Sequence, residues 1–244
     1  MTNNFTLITG AGRGIGFEIA KKFASNNHNL ILTIRNKSQQ KKLENLSKDF
    51  DIKIMVKVGD LRDLAFVRKL GKINFKVDNV INNAAGENQK HFLKVTEKEL
   101  NDMISINLKS TFLITQIFSK KMIKFKIKGN IISISSQLGH IAAYNRSIYC
   151  MTKFGIEGLT KSLAMDLGRY GIRVNSVAPT KTIINKNEIN KNNTRLNIIR
   201  KKIPLNKFST TEEIASIVYF LTTKEAGSIT GTSILSDGGW TAGK

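Results

Sequence analysis

Residues 9–16 read Thr9-Gly10-Ala11-Gly12-Arg13-Gly14-Ile15-Gly16, and what flanks them decides the fold. The short apolar run at 5–9 (FTLIT) precedes them, and residues 14–25 follow with apolar side chains at helical spacing. Glycines at 10, 14 and 16 let the chain turn tightly and let a phosphate approach the backbone. The following helix offers unpaired N–H groups and the positive end of its dipole to an anion. Alone, a glycine-rich loop is a weak signal. Set between a strand and a helix, it predicts a dinucleotide pyrophosphate site around Gly10, Arg13, Gly14, Ile15 and Gly16.

Further out, apolar runs at 30–34, 52–58, 77–82, 130–134, 173–178 and 232–235 read as strands. Between them lie helix-like stretches, including 41–50, 97–125, 149–170 and 211–221. Strands apolar on both faces and separated by helices imply a parallel sheet covered on both sides. The expected fold is therefore α/β: one doubly wound (Rossmann) domain over residues 1–244, with ligands outside the carboxyl ends of the strands. The Asn- and Lys-rich segment 181–205 falls where a substrate lid belongs.

Composition narrows the alternatives. At 41% hydrophobic and 23% charged residues the chain reads as globular, not disordered. Its one cysteine, Cys150, permits no internal disulfide and no multi-cysteine metal site, which suits a cytoplasmic protein. No apolar run is long enough for a membrane span, and a motif starting at Thr9 leaves no room for a signal peptide. The three histidines, His28, His91 and His140, show no metal-ligand spacing, so no metal is expected. Lys and Arg outnumber Asp and Glu by 39 to 18, a net charge of +21. No zinc-finger or basic-zipper pattern accompanies that charge. Asn (24) and Ile (32) are abundant with Lys, as A/T-rich codons would produce, and no nucleic-acid partner is expected.

The second strand should end on the residue that reads the ribose. An acid there would bond the 2′-hydroxyl of NAD, but this chain reads Thr33-Ile34-Arg35-Asn36-Lys37. Arg35, with Arg13 on the same side, suits a 2′-phosphate, so NADP(H) is expected over NAD(H).

Tyr149-Cys150-Met151-Thr152-Lys153 sets a phenol and an amine four residues apart on one helix face. Ser136 stands thirteen residues before Tyr149, at the carboxyl end of the 130–134 strand. With the glycine loop, Asn82-Asn83-Ala84-Ala85-Gly86, Asp60-Leu61, Asn107 and Asp237-Gly238-Gly239-Trp240, the set resembles the short-chain dehydrogenase/reductase family from about residue 5 to Gly239. The likeness is nearest to 3-oxoacyl carrier-protein reductases and to sugar and polyol dehydrogenases.

The resemblance implies hydride transfer between a nicotinamide and a carbonyl or secondary alcohol, with Asn107, Ser136, Tyr149 and Lys153 carrying the chemistry. A free phenol with pKa ~10 is a reluctant acid-base partner. An ammonium ~5 Å away at effective dielectric ~20 favours phenolate by about 3 kcal/mol. Tyr149 would then exchange the proton, Ser136 would bond the substrate oxygen, and Lys153 would hold the nicotinamide ribose. Asn107 would place a relay water. Asp60 and Leu61 would meet the adenine; Asn83 and Ala84 would line the groove, with Asn83 stitching the central strands. Pro179 and Thr182 would meet the nicotinamide. Here the sequence departs from the family: Thr180 replaces the glycine after the proline, and Ile184 stands at the usual threonine position. Carrier-protein reductases imply an acidic partner, yet their docking arginines fall on Ile127 and Tyr170, with Lys126, Lys128, Arg169 and Arg173 adjacent. Family tetramers imply a homotetramer.

Overall fold

The structure, a computed structural model, describes residues 5–183 and 194–243. In strand β1 (Phe5–Ile8) Leu7 and Ile8 are both fully buried, and successive side chains in a strand face opposite ways. The same pairing recurs in β2 (Asn29–Ile34) with Ile31 and Leu32, in β4 (Val77–Asn82) with Val80 and Ile81, and in β5 (Asn130–Ile134) with Ile131 and Ile132. A sheet with two apolar faces needs two layers of helix.

Helices α1 (Gly14–Ala24) and α9 (Thr211–Thr222) cover the face carrying Ile8, Leu32, Ile81 and Ile132, with Ile19, Phe23, Ile214 and Val218 in that core. On the opposite face Leu7, Ile31, Val80 and Ile131 meet Val67 of α4 (Leu64–Leu70), Phe118 and Met122 of α6 (Ser110–Lys124), and Leu167 of α7 (Ser147–Gly168). Burying each such side chain contributes roughly 1.5–3 kcal/mol.

With β3 (Ile54–Val58), β6 (Arg173–Pro179) and β9 (Ser233–Ser236) the sheet has seven strands, all parallel, in the order β3-β2-β1-β4-β5-β6-β9. The order reverses direction between β1 and β4, which opens the crevice where the glycine loop emerges.

The expected strands hold to within about two residues, and three expected helices hold nearly whole. The 41–50 stretch divides at Asn45 into α2 (Gln40–Glu44) and α3 (Leu46–Asp49). The long 97–125 stretch is α5 (Glu97–Ile104) and α6 joined by a π-helical turn, Ser105–Lys109. A small parallel pair, β7 (Thr182–Ile183) with β8 (Ser209–Thr210), was not expected; two residues per strand leave no readable alternation. Of the expected lid, α8 (Thr194–Lys201) is present, while residues 184–193, Ile184 among them, lie outside the described residues.

Candidate active site

Thr9 and Asn83 join the loops after β1 and β4. The Thr9 hydroxyl accepts from the backbone N–H groups of Asn83 at 2.9 Å and Ala84 at 3.0 Å. In return the Asn83 amide donates to the carbonyls of Thr9 at 2.9 Å and Gly10 at 3.1 Å. Gly10 has φ +66°, and a Cβ on it would lie 2.9 Å from the Ala84 Cα, so the close approach of the two loops requires glycine there. The N-cap of α1, Arg13, makes no side-chain cap bond, and the first turn holds no acid. The helix end thus carries its partial positive charge with no side-chain acceptor on it, a cradle that fits a pyrophosphate.

From this loop a cavity of about 1650 Å³ runs across the carboxyl ends of the strands. Every cofactor-binding residue expected from the sequence lines it: Gly10, Arg13, Gly14, Ile15, Gly16, Arg35, Asp60, Leu61, Asn83, Ala84, Tyr149, Lys153, Pro179 and Thr182. Ser136 lines it too, and Asn107 does not.

Arg13 and Arg35 are exposed at the end of the cleft below β1 and β2. Asp60, expected to face an adenine amino group, is held by Arg62: Nη2 donates to Oδ2 at 2.6 Å, and the Arg62 backbone N–H to Oδ1 at 2.9 Å. Hydrogen bonding to Arg62 keeps the Asp60 carboxyl below the usual carboxylate range. Arg62 also reaches Asp102 at 3.5 Å and lines the cleft. Sequence reasoning missed it, because an exposed arginine two residues past an aspartate has no distinguishing spacing.

At the other end of the cleft, the first turns of α7 bring Tyr149 and Lys153 beside β5. The Ser136 hydroxyl, which accepts from the Leu138 N–H at 3.1 Å, lies near enough to the Tyr149 phenol to draw its pKa down. Ser135 does not join them; its hydroxyl is buried with no hydrogen-bond partner among the described residues. Lys153 is 3% exposed, its Nζ donates to the Ile134 carbonyl at 2.8 Å, and it lies 5.6 Å from the centre of the Tyr149 ring. Burial lowers the Lys153 amine to about 8, opposed by the negative charge of Glu157.

The structure corrects the expectations in three places. The Tyr149 phenol is pushed above its ordinary range, chiefly by burial, with the nearby Ser136 hydroxyl pulling the other way. Burial of the phenol outweighs the charges around it, and burial likewise lowers the Lys153 amine to about 8. Asn107 sits in the π turn with its side chain fully engaged: Oδ1 accepts from the Gly86 N–H at 2.8 Å, and Nδ2 donates to the Gly86 carbonyl at 3.2 Å and the Thr152 hydroxyl at 3.0 Å. It ties the loop after β4 to α7. Arg173 does not supplement a docking face, because its guanidinium turns inward to the carbonyls of Ile229 and Thr223, each at 3.2 Å.

One more residue escaped the sequence reading, and a departure it did note takes a definite place. Arg146 packs 6.0 Å from the Tyr149 ring centre, pairs with Glu87 at 2.6 Å and donates to the Asn88 carbonyl at 3.1 Å, pinning the 87–89 loop to the start of α7. Thr180 is 7% exposed with its hydroxyl unpartnered among the described residues, while Thr182 donates to the Thr180 carbonyl at 3.1 Å.

A family model described as enoyl-(acyl carrier protein) reductase matches residues 10–241, nearly the whole chain. The chain is a short-chain dehydrogenase/reductase. Among its relatives, the L-xylulose reductase of Homo sapiens is 31% identical over 241 residues, covering 97% of this chain and 96% of that protein. The 3-oxoacyl-[acyl-carrier-protein] reductase of Aquifex aeolicus (strain VF5) is 33% identical over 244 residues, covering 96% of each. A solved structure from Agrobacterium tumefaciens with bound NADP, assigned as a 2-deoxy-D-gluconate 3-dehydrogenase, superposes with a TM-score of 0.90 at 28% identity, covering 99% of this chain and 98% of its own. This short-chain dehydrogenase/reductase is accordingly an oxidoreductase of a nicotinamide-binding family. Among the described residues no cluster of acids, histidines and cysteine could hold a metal, and no helix is long and apolar enough to cross a membrane.

Proposed function

We propose that the protein is an NADPH-dependent carbonyl reductase acting on a 3-oxoacyl thioester presented by an acidic carrier protein. The observation that carries the reading is the Ser136–Tyr149–Lys153 group at one end of a single cleft that has Arg13 and Arg35 at the other. A reduced nicotinamide supplies the hydride to the carbonyl carbon when bound. Ser136 donates to the carbonyl oxygen, where negative charge develops. Tyr149, kept protonated by its burial, passes its proton to that oxygen, and the Lys153 ammonium stabilises the phenolate left behind. In the reverse direction the same phenolate removes the alcohol proton.

Two exposed arginines beside β2, with no acid at its end, favour the 2′-phosphate of NADPH. Leu138, Ile141, Leu196 and Trp240 offer an acyl chain an apolar wall beside Tyr149. The net charge of +21, with Lys126, Lys128 and Arg169 exposed, suits an acidic carrier. Exposed Phe112 on α6, with Met151 and Phe154 on α7, supports pairing into a homotetramer, which sedimentation would report. We place the enzyme in the cytoplasm, in keeping with its single thiol.

One observation favours a sugar or polyol carbonyl as second substrate class: Gln89, Gln137 and Arg146 form a polar corner of the same cleft. Rates of NADPH oxidation with an acetoacetyl thioester and with a panel of ketoses separate the two. The thioester is expected to show a kcat/KM at least tenfold higher, and a ketose ahead of it overturns the substrate assignment.

A further inference from the structure

Among the described residues Lys153, Glu157 and Asp237 are the buried residues of the Asp, Glu, Lys and Arg types. Asp237 is occupied locally, accepting from the backbone of Gly239 and Thr241 and from the Thr241 hydroxyl. The other two stand one helical turn apart on the same face of α7. Glu157 has no part in the reaction as described above, yet it is 8% exposed and held from three sides. Ser176 of β6 donates to Oε2 at 2.7 Å, Ser233 of β9 donates to Oε1 at 3.2 Å, and His140 Nε2 lies 3.3 Å from the same Oε1. His140 and Ser233 also bond each other at 3.0 Å. Gly139 closes the site above: a Cβ there would come within 3.1 Å of the Glu157 Cγ.

We propose that Glu157 is the buried counter-charge that keeps Lys153 an ammonium, a positioning residue for the proton transfer at Tyr149. A lone buried carboxylate costs several kcal/mol, and hydrogen bonds from two hydroxyls do not neutralise it. The one buried cation among the described residues is a turn away. Burial favours the neutral amine of Lys153, and Glu157 is the charge that opposes this, in agreement with the direction of its effect on that amine. The groups in contact with Glu157 are His140 from the turn after β5 and the hydroxyls of Ser176 and Ser233 from the sheet, while Lys153, a turn away on its own helix with Nζ on the Ile134 carbonyl, feels the carboxylate through space. Because β6, β9 and the turn after β5 grip the carboxylate together, its distance from Lys153 is fixed by the sheet rather than by side-chain rotation.

The proposal rests on the reading of Lys153 as the working ammonium, so its test must not depend on turnover. Lysines of the whole protein are reductively ¹³C-methylated, the Lys153 resonance is assigned by its loss in K153M, and its titration is followed by NMR. In E157Q, which keeps the shape and removes the charge, the Lys153 midpoint is expected at least one pH unit below that of the wild type, a tenfold shift from ammonium to amine. E157D is expected to restore most of it, and the high-pH limb of kcat/KM for reduction is expected to move with the NMR midpoint. An unchanged Lys153 midpoint in folded E157Q overturns the proposal. If E157Q does not fold, S176A with S233A, which loosens the carboxylate without removing it, is expected to move the midpoint in the same direction by a smaller amount; no movement overturns the proposal. Full reductase activity in K153M would instead defeat the functional reading while leaving the NMR result for Glu157 intact.

Discussion

The Lys153 Nζ lies 5.6 Å from the centre of the Tyr149 ring and is tethered at 2.8 Å to the carbonyl of Ile134, the last residue of β5. Ser136 follows that strand by two residues and lies near enough to the Tyr149 hydroxyl to draw its pKa down. The strand end therefore fixes both partners of the tyrosine, one through a carbonyl and one through the chain. Such double anchoring keeps the three groups in register without relying on a loop.

In the proposed mechanism, reduction requires a protonated Tyr149 and an ammonium at Lys153. Burial holds the tyrosine's proton beyond the usual phenol range, so the lysine, lowered to about 8, is the group that titrates first. The kcat/KM for carbonyl reduction is expected to be flat below about pH 8 and to fall about tenfold per unit above it. A profile flat to pH 10 would show that Lys153 does not titrate there or does not matter.

Y149F removes the transferable proton and little else. The expected loss in kcat/KM is ~10²–10⁴-fold, with the dissociation constant for NADPH changed by less than about threefold. Stopped-flow single turnover and cofactor fluorescence give the two numbers separately. Retained turnover in a variant that binds NADPH normally would remove Tyr149 from the proton transfer.

The fold was legible because it rests on repeated signals: paired apolar residues in β1, β2, β4 and β5, and a glycine loop in a fixed place between strand and helix. That Ser136, Tyr149 and Lys153 share one cleft was legible from spacing, since they lie on one strand end and one helix. Electrostatics was not. The upward displacement of Tyr149 depends on burial by residues distant in sequence, and a charge-pair argument omits that desolvation. The engagement of Asn107 with Gly86 and Thr152, and of Asp60 with Arg62, likewise depends on which side chains meet across elements. Arg146 and Glu157 gave no signal, because a lone charge on a helix reads as a solvated one.

R35D is expected to reverse the cofactor preference. A charge-assisted bond between a guanidinium and a phosphate contributes roughly 1.5–3 kcal/mol, so NADPH affinity should weaken by about 10–100-fold while NADH affinity holds or improves. Isothermal titration in low and moderate salt reads both, and the NADPH loss should shrink as salt rises. Equal loss for both cofactors would mean that Arg35 supports the loop and does not read the phosphate.

The buried ammonium also has a stability consequence. In the unfolded chain Lys153 titrates near ~10.4, and in the folded protein near about 8, so between those values the unfolded state binds more protons. Stability from this group therefore rises as pH increases through that window, and its whole cost, about 3 kcal/mol, is present at pH 7. K153M removes that pH-dependent cost but strips the Ile134 carbonyl of its donor and leaves Glu157 without the charge beside it. The expected outcome is that the stability of K153M relative to wild type falls by about 3 kcal/mol between pH 7 and pH 10. Urea unfolding at the two pH values measures it, and a stability difference that stays the same at both would mean that the lysine does not titrate in that window.

Gly10 and Gly158 make a paired test of the phosphate loop. Gly10 has φ +66°, and an added Cβ would lie 2.9 Å from the Ala84 backbone, where no flexible side chain can yield. G10A is therefore expected to impose the left-handed penalty of roughly 1–2 kcal/mol and to push the β1 and β4 loops apart as well. The displaced loop no longer presents the α1 amides at one distance from a pyrophosphate, so NADPH affinity should fall by more than tenfold even where the protein remains folded. Gly158 lies in α7, and a methyl group added there would meet nothing within 4 Å, so G158A should leave affinity unchanged and stabilise the helix by about 0.5–1 kcal/mol. Thermal unfolding with and without NADPH distinguishes the outcomes. A G10A variant that binds NADPH as tightly as G158A would mean that the loop does not cradle the cofactor's phosphates.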